Sequence, residues 1–123
     1  KDNITTIYDK LKHDSIDILS KHTAKSLNAN FISITQGSKG LYTYALEKDF
    51  SFKIPALSSN VVDRVGAGDA FLSLASIFLG SEISTEISIF IGATAAAIDV
   101  QIIGNENTVN KIDLVKYITA LLK

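Results

Sequence analysis

Residues 61–71 read V-V-D-R-V-G-A-G-D-A-F: apolar β-branched residues, a turn marked by glycines, an acid, then the start of an apolar helix. Strand, tight turn and helix in that order are the alternation from which layered α/β folds are built. Gly66 and Gly68 carry no Cβ, so the backbone can turn sharply there and approach a ligand closely. The helix that follows opens with N–H groups that lack an intrahelical partner. Together with the helix dipole those amides form a site for an anion, phosphate included. Asp69 stands within this positive end. The residues leave two readings of it open. It is a first-turn acid that stabilises the helix N-terminus by about 0.3–1 kcal/mol. Or it is a general base that takes a proton from a hydroxyl, while the amides hold charge developing on a transferred phosphoryl group.

Outward from this stretch the chain alternates. Ile16, Leu19, Thr23 and Leu27 recur at helical spacing and predict an amphipathic helix over 14–27, stopped by Asn28-Ala29-Asn30. Phe31, Ile32 and Ile34 predict a strand over 31–35 that ends in a turn at Gly37 and Gly40. Segments 41–46 and 50–54 predict a hairpin around Glu47-Lys48-Asp49, and Pro55 ends it before a loop over 56–60. A strand at 61–62 leads into a helix over 67–79, apolar all round and therefore expected to be buried. Gly80 closes that helix. A helix over 85–99 follows, capped by Ser84 or Thr85, with Ile87, Ile91, Ala95 and Ile98 on one face. Its small residues Gly92, Ala93, Ala95, Ala96 and Ala97 predict close helix packing. A last helix over 111–122 takes Asn110 as its cap. Alternation around buried helices predicts helices on both sides of a largely parallel sheet.

Composition narrows the function classes. The chain has 123 residues, 46% of them apolar, which is material for a single domain. Its formal net charge is −1 and its 12 basic residues are scattered, which argues against DNA or RNA as the main partner. The absence of cysteine removes disulfides and thiolate metal sites and fits a reducing compartment. No apolar run approaches the roughly 18 residues of a membrane span, and no signal peptide is visible. A cytoplasmic location is the default expectation. The chain starts Lys-Asp-Asn and lacks methionine altogether, so it is expected to be a segment of something longer.

The run D-x-x-G-A-G-D-x-F closely resembles the signature of the PfkB/ribokinase family of sugar and nucleoside kinases. Upstream, Ile32–Gly40 reads I-S-I-T-Q-G-S-K-G and is similar to the family's T-x-G-x-x-G turn, which lies beside the nucleotide. Alone, such a turn is more often a plain hairpin connection, and Lys39 within it more often a solvated lysine than a phosphate ligand. The resemblance implies a three-layer α/β/α sandwich, with nucleotide at the carboxyl ends of the strands. It implies Asp69 as catalytic base and Gly66, Ala67 and Gly68 as the amide anion hole. It implies nucleotide contact for Thr35, Gly37 and Gly40, and an adenine pocket bordered by the stretch holding Gly92 and Ala93. In many members a monovalent cation such as K⁺ lies near the phosphates. Asp63 and the Val65 carbonyl match its first ligands, and Asp99, Ile102 and Gly104 match later ones, with Thr108 a further candidate. Asp63 reads equally well as a turn-capping carboxylate.

Departures from the family pattern bound the expectation. Arg64 replaces the threonine most members carry. The N-terminal segments that hold sugar in the family, and the N-x-x-E segment that positions Mg²⁺, have no counterpart here. Asn105-Glu106-Asn107 has neither the spacing nor the place. The resemblance thus covers about residues 15–123 and implies a single partial domain, the C-terminal part of a kinase whose partner is its own missing N-terminal half. Q-I-I-G-N at 101–105 and the C-terminal K-Y-I-T-A-L-L-K resemble the heptose-phosphate kinase branch, some of whose members are joined to a nucleotidyltransferase. Ribose, fructose or a keto-deoxy sugar acid remain open as substrates. The expected reaction is phosphoryl transfer from ATP, with Mg²⁺, to a hydroxyl of a sugar or sugar phosphate, the fragment alone being inactive. The alternative is a non-catalytic binding or assembly module on the same scaffold. A P-loop is excluded because no G-K-[ST] follows the glycines. A dinucleotide-binding oxidoreductase fits poorly, since G-x-G-x-x-G is missing.

Overall fold

Ser15 opens the first helix, because its side-chain oxygen accepts from the Ile18 N–H and meets one of the orphan donors of the first turn. The computed structural model describes residues 15–62, 65–102 and 107–123. Helix α1 spans Ile16–Leu27 and stops at Asn28, which adopts a left-handed φ of 50°. The Ala29 N–H then returns to the Ala24 carbonyl at 2.9 Å, satisfying an end carbonyl of the helix. Strands β1 (Phe31–Thr35), β2 (Leu41–Ala45) and β3 (Phe50–Ile54) follow, in the spatial order β1-β2-β3. Ser33 faces Thr43 side chain to side chain, Leu46 bonds back to Asn30, and Gln36 to Gly40. One residue number falls as the other rises, so β1 and β2 run antiparallel. The short connection from β2 to β3 requires the same of that pair.

The chain divides into two compact units: one holds the chain up to Ile34 plus Tyr42–Lys53, the other Thr35–Leu41 plus Ile54–Lys123. In the first, the middle strand β2 is buried along its whole length. Alternation along the strand puts Tyr42 and Tyr44 on one face, where they pack with Ala24 of α1 and with Ile16, Ile32 and Leu46.

In the second unit helix α2 spans Ala67–Leu79, with Gly66 as its cap at φ 95°, a conformation that only glycine adopts readily. Helix α3 spans Thr85–Asp99 and is capped by the Ser84 hydroxyl, which accepts from Ile87 N–H at 3.3 Å. Helices α2 and α3 meet at Gly92: a Cβ there would lie 2.8 Å from the Ala75 Cβ and 2.9 Å from the Phe71 carbonyl oxygen. Helix α4 spans Lys111–Leu121, with Asn110 Oδ1 accepting from Asp113 N–H at 3.0 Å.

Four expectations need correction. Among the described residues the sheet is an antiparallel meander rather than largely parallel. Residues 61–62 form no strand; Val62 N–H instead bonds to the Val100 carbonyl at 2.8 Å. Helix α2 buries Phe71 and Ala75 but leaves Leu72 and Ile77 about two-thirds exposed, so it presents one packed stripe. The apolar spacing of α1 and α3 marks their core faces only in part, although Ile16 packs on the core and Ala95 is buried as expected. Ser20 and Ala24 are buried while Thr23 and Leu27 are exposed, and Ile87 is exposed while Ser88 and Ile89 are buried. Small residues allow the closest approach of a neighbour, and here that outweighs side-chain bulk.

Candidate functional site: a cavity between two glycine turns

Two glycine-bearing turns and one helix face meet in the second unit around a cavity of about 670 Å³. The first wall is the turn after β1, where Gly37–Lys39 form one turn of 3₁₀-helix. Gly37 and Gly40 hold φ of 57° and 88°, and the Gln36 N–H bonds to the Gly40 carbonyl at 2.7 Å. A side chain at Gly40 would fall onto the Ile54 carbonyl oxygen and within 2.6 Å of the Pro55 carbonyl carbon. Thr35, Gly37, Ser38 and Gly40 all line the cavity from this turn.

The second wall is the start of α2. Gly66 turns the chain, its carbonyl accepts from Ala70 N–H at 2.9 Å, and Ala67, Gly68 and Phe71 line the cavity. The amides of this first turn lie ahead of the point where the helix begins to use its own donors. The third wall is one stripe of α3: Ala93, Ala96, Ala97 and, just past the helix, Val100. Their offsets of three, four and seven residues place them on one helical face. The loop Pro55–Ser59 closes the remaining side.

Of the residues that sequence reasoning singled out, Thr35, Gly37, Gly40, Ala67, Gly68 and Ala93 are thus brought together. Gly66 caps the same helix. Gly92 is turned to the other side, into the packing against Phe71 and Ala75. Asp69 is exposed on the first turn of α2, next to Gly68, and is not part of the cavity lining. Thr108 is described and exposed, outside the lining.

The cation candidates are less gathered. Asp63 and Gly104, like Arg64, lie outside the described residues. Val65 is exposed just before the cap of α2. Asp99 ends α3, and its carbonyl accepts from Ile102 N–H at 2.9 Å. Among the described residues no three His, Asp or Glu side chains converge as a metal site. Backbone oxygens are among the donors that suit a hard cation.

Residues that sequence reasoning passed over are Ser38, the loop 55–59 and Val100, while Ala96 and Ala97 were read only as small residues of the stretch bordering the adenine pocket. The loop's run of small and hydroxyl residues between two glycine turns was one available signal. The helical period of the alanines, counted from Ala93, was another.

The first unit holds a different kind of cluster, in a cleft of about 240 Å³. Lys21 Nζ meets both Asp49 oxygens at 2.7 and 2.8 Å, and Tyr44 donates to Asp49 Oδ1 at 2.7 Å. Tyr42, buried, donates to Asp17 at 2.6 Å. The bond from Lys21, then that from Tyr44, holds the Asp49 carboxyl below its ordinary range. The bond to Asp49 raises both Lys21 and Tyr44, while Tyr42 is raised first by burial and then by Asp17. These groups satisfy one another.

Comparison with known proteins gives the family and the fold. An uncharacterized sugar kinase of Buchnera aphidicola subsp. Schizaphis graminum is 32% identical over 90 residues, covering 72% of this chain and 28% of that protein. Phosphofructokinase-2 of Escherichia coli, solved with potassium, superposes with a TM-score of 0.74 at 16% identity, over 98% of this chain and 40% of its own. Ribokinase of Arabidopsis thaliana, solved with ribose and ATP, superposes with a TM-score of 0.70 at 22% identity, over 85% of this chain and 34% of its own. At those identities the superpositions show the α/β, ribokinase-like fold. The chain spans well under half the length of each of these relatives. The model of the pfkB family carbohydrate kinases matches residues 6–112, most of the sequence, and the chain therefore belongs to that family.

Proposed function

We propose that this chain is the nucleotide-holding and proton-accepting part of an ATP-dependent sugar kinase, and one portion of a larger kinase domain. The observation that carries this reading is the convergence of the Thr35–Gly40 turn, the Ala67-Gly68 helix start and Ala93 on one cavity. Its walls combine apolar side chains such as Leu41, Leu57, Phe71 and Val100 with small residues and hydroxyls, so a flat base finds apolar contact and a phosphate chain can approach main-chain amides. Family membership supports the reaction class, and the ATP seen with the Arabidopsis ribokinase supports the donor.

The residues divide the work as follows. The Ala67 and Gly68 amides stabilise negative charge as it develops on the transferred phosphoryl group. Asp69 accepts the proton of the sugar hydroxyl as that oxygen bonds to the γ-phosphorus and the bond to the β-phosphate oxygen breaks, leaving ADP. Its exposure on the first turn leaves room for an acceptor beside Gly68. The turn at Gly37 and Gly40, with Thr35, holds the nucleotide against these amides. Mg²⁺ bound with the nucleotide would supply charge neutralisation, and Asp63, Val65, Asp99, Ile102 and Gly104 are the positions for a monovalent cation such as K⁺. A heptose phosphate is the acceptor favoured by the C-terminal segments, and the compartment is the cytoplasm. Among the described residues no helix is long and apolar enough to cross a membrane.

The test is Asp69→Asn in the full-length protein. Turnover should fall by about 10²–10⁴-fold while ATP affinity stays close to that of the unsubstituted protein. Equal turnover of the two proteins would remove Asp69 from the reaction. Loss of ATP binding with the substitution would recast the residue as a helix-end stabiliser.

A further inference from the structure

We infer that Tyr117, which does not line the cavity, is a positioning residue that holds the 55–59 loop in place and thereby sets the affinity of the cavity for its ligand; this rests on the nucleotide reading above. The loop gives the cavity Pro55, Ala56, Leu57, Ser58 and Ser59. Pro55 has no N–H to anchor it, and Ser58 spends its hydroxyl inside the loop, on the Asn60 carbonyl at 3.1 Å. Tyr117 reaches in from α4 and donates its hydroxyl to the Leu57 carbonyl at 2.8 Å.

The same phenol is tied to the opposite wall. Gln101 Nε2 donates to the Ala97 carbonyl at 2.6 Å and lies 3.5 Å from the Tyr117 oxygen. Ala97 lines the cavity from α3. One half-buried hydroxyl thus bridges two walls that are far apart in sequence, from a helix that does not itself line the cavity. A loop fixed before the ligand arrives spares the cost of ordering it on binding.

The experiment compares the full-length protein with Tyr117→Phe, which keeps the ring and removes only the hydroxyl. Thr119→Val is the control, because its hydroxyl bonds to Val115 on the same helix, away from the cavity. We expect Kd and KM for ATP to rise roughly five-fold in Tyr117→Phe, the worth of one neutral hydrogen bond, with kcat within two-fold. Amide exchange of residues 56–60 should quicken, while that of α2 and all properties of Thr119→Val stay unchanged. Unaltered exchange in the loop overturns the latch, as does faster exchange with the same ATP affinity. If the unsubstituted protein binds no ATP, the nucleotide reading fails, and the exchange data alone then decide the latch.

Discussion

The polar cluster around Asp49 and the cavity around Gly40 are built on opposite principles. In the first, Lys21, Tyr44 and Asp49 point at one another and Tyr42 points at Asp17, so donors and acceptors are consumed within the protein. In the second, the lining offers apolar side chains from Leu41, Leu57, Val61, Phe71 and Val100 beside small residues and a few hydroxyls. A cluster that satisfies itself contributes to stability and has little left to offer a ligand. A concavity lined by apolar and small side chains leaves contacts unmade that something else can fill. The contrast separates structural polarity from functional emptiness.

Substitutions can break this contrast. The largest stability effect is expected from Gly40→Ala. Its φ of 88° and the collision with the Ile54–Pro55 backbone should cost roughly 3 kcal/mol. Chemical denaturation would measure it. A thermally neutral Gly40→Ala that only lost ligand would show that the turn is shaped for access alone. Next comes Gly92→Ala, where a Cβ 2.8 Å from that of Ala75 forces α2 and α3 apart. About 1–3 kcal/mol is expected, the usual cost of overpacking, and is read from the same unfolding curves. An unchanged midpoint would mean that the helix pair yields freely.

The smallest effect sharpens the other side of the comparison. Asp49 has a lowered carboxyl pKa, so its contribution is present above the ordinary carboxylate range and is lost as pH falls through the folded value. Lys21, Tyr42 and Tyr44 are raised, so theirs is present below their ordinary values and fades as pH rises beyond about 10. Thermal melts of Asp49→Asn and the unsubstituted protein should therefore converge as pH is lowered below about 4. A gap that persisted in acid would show that the carboxylate charge is not what matters there.

Element boundaries were largely legible in the sequence because they are set locally. Asn28, Gly80, Ser84 and Asn110 stop or cap helices through their own side chains or backbone freedom, and each stands where it was expected. Which face is buried was not legible, since the neighbouring element decides it. Leu72, Ile77 and Ile87 look like core by composition, yet Phe71, Ala75 and Gly92 take the contact. The strand at 61–62 failed for a related reason. Two β-branched valines carry propensity but find no partner strand among the described residues, and Val62 pairs with the end of a helix instead. In the cavity, both glycine turns were found by their chemistry. Gly92 and Ala93 could not be told apart, because one step along a helix turns the chain by about 100° and a run of small residues leaves that phase undefined. The 55–59 loop and Tyr117 depend on contacts far apart in sequence, which no local pattern records.

The bond from Val62 to Val100 has a practical corollary. It fastens together the two ends of the α2–α3 hairpin, and the residues of that hairpin that face the cavity all lie near the same fastened end. The bend at 80–84 sits at the opposite end, roughly 20 Å away along a helix of this length, and every residue in it is exposed. A fluorophore, affinity tag or short inserted peptide belongs at that bend, where it can report on the protein without trespassing on its chemistry.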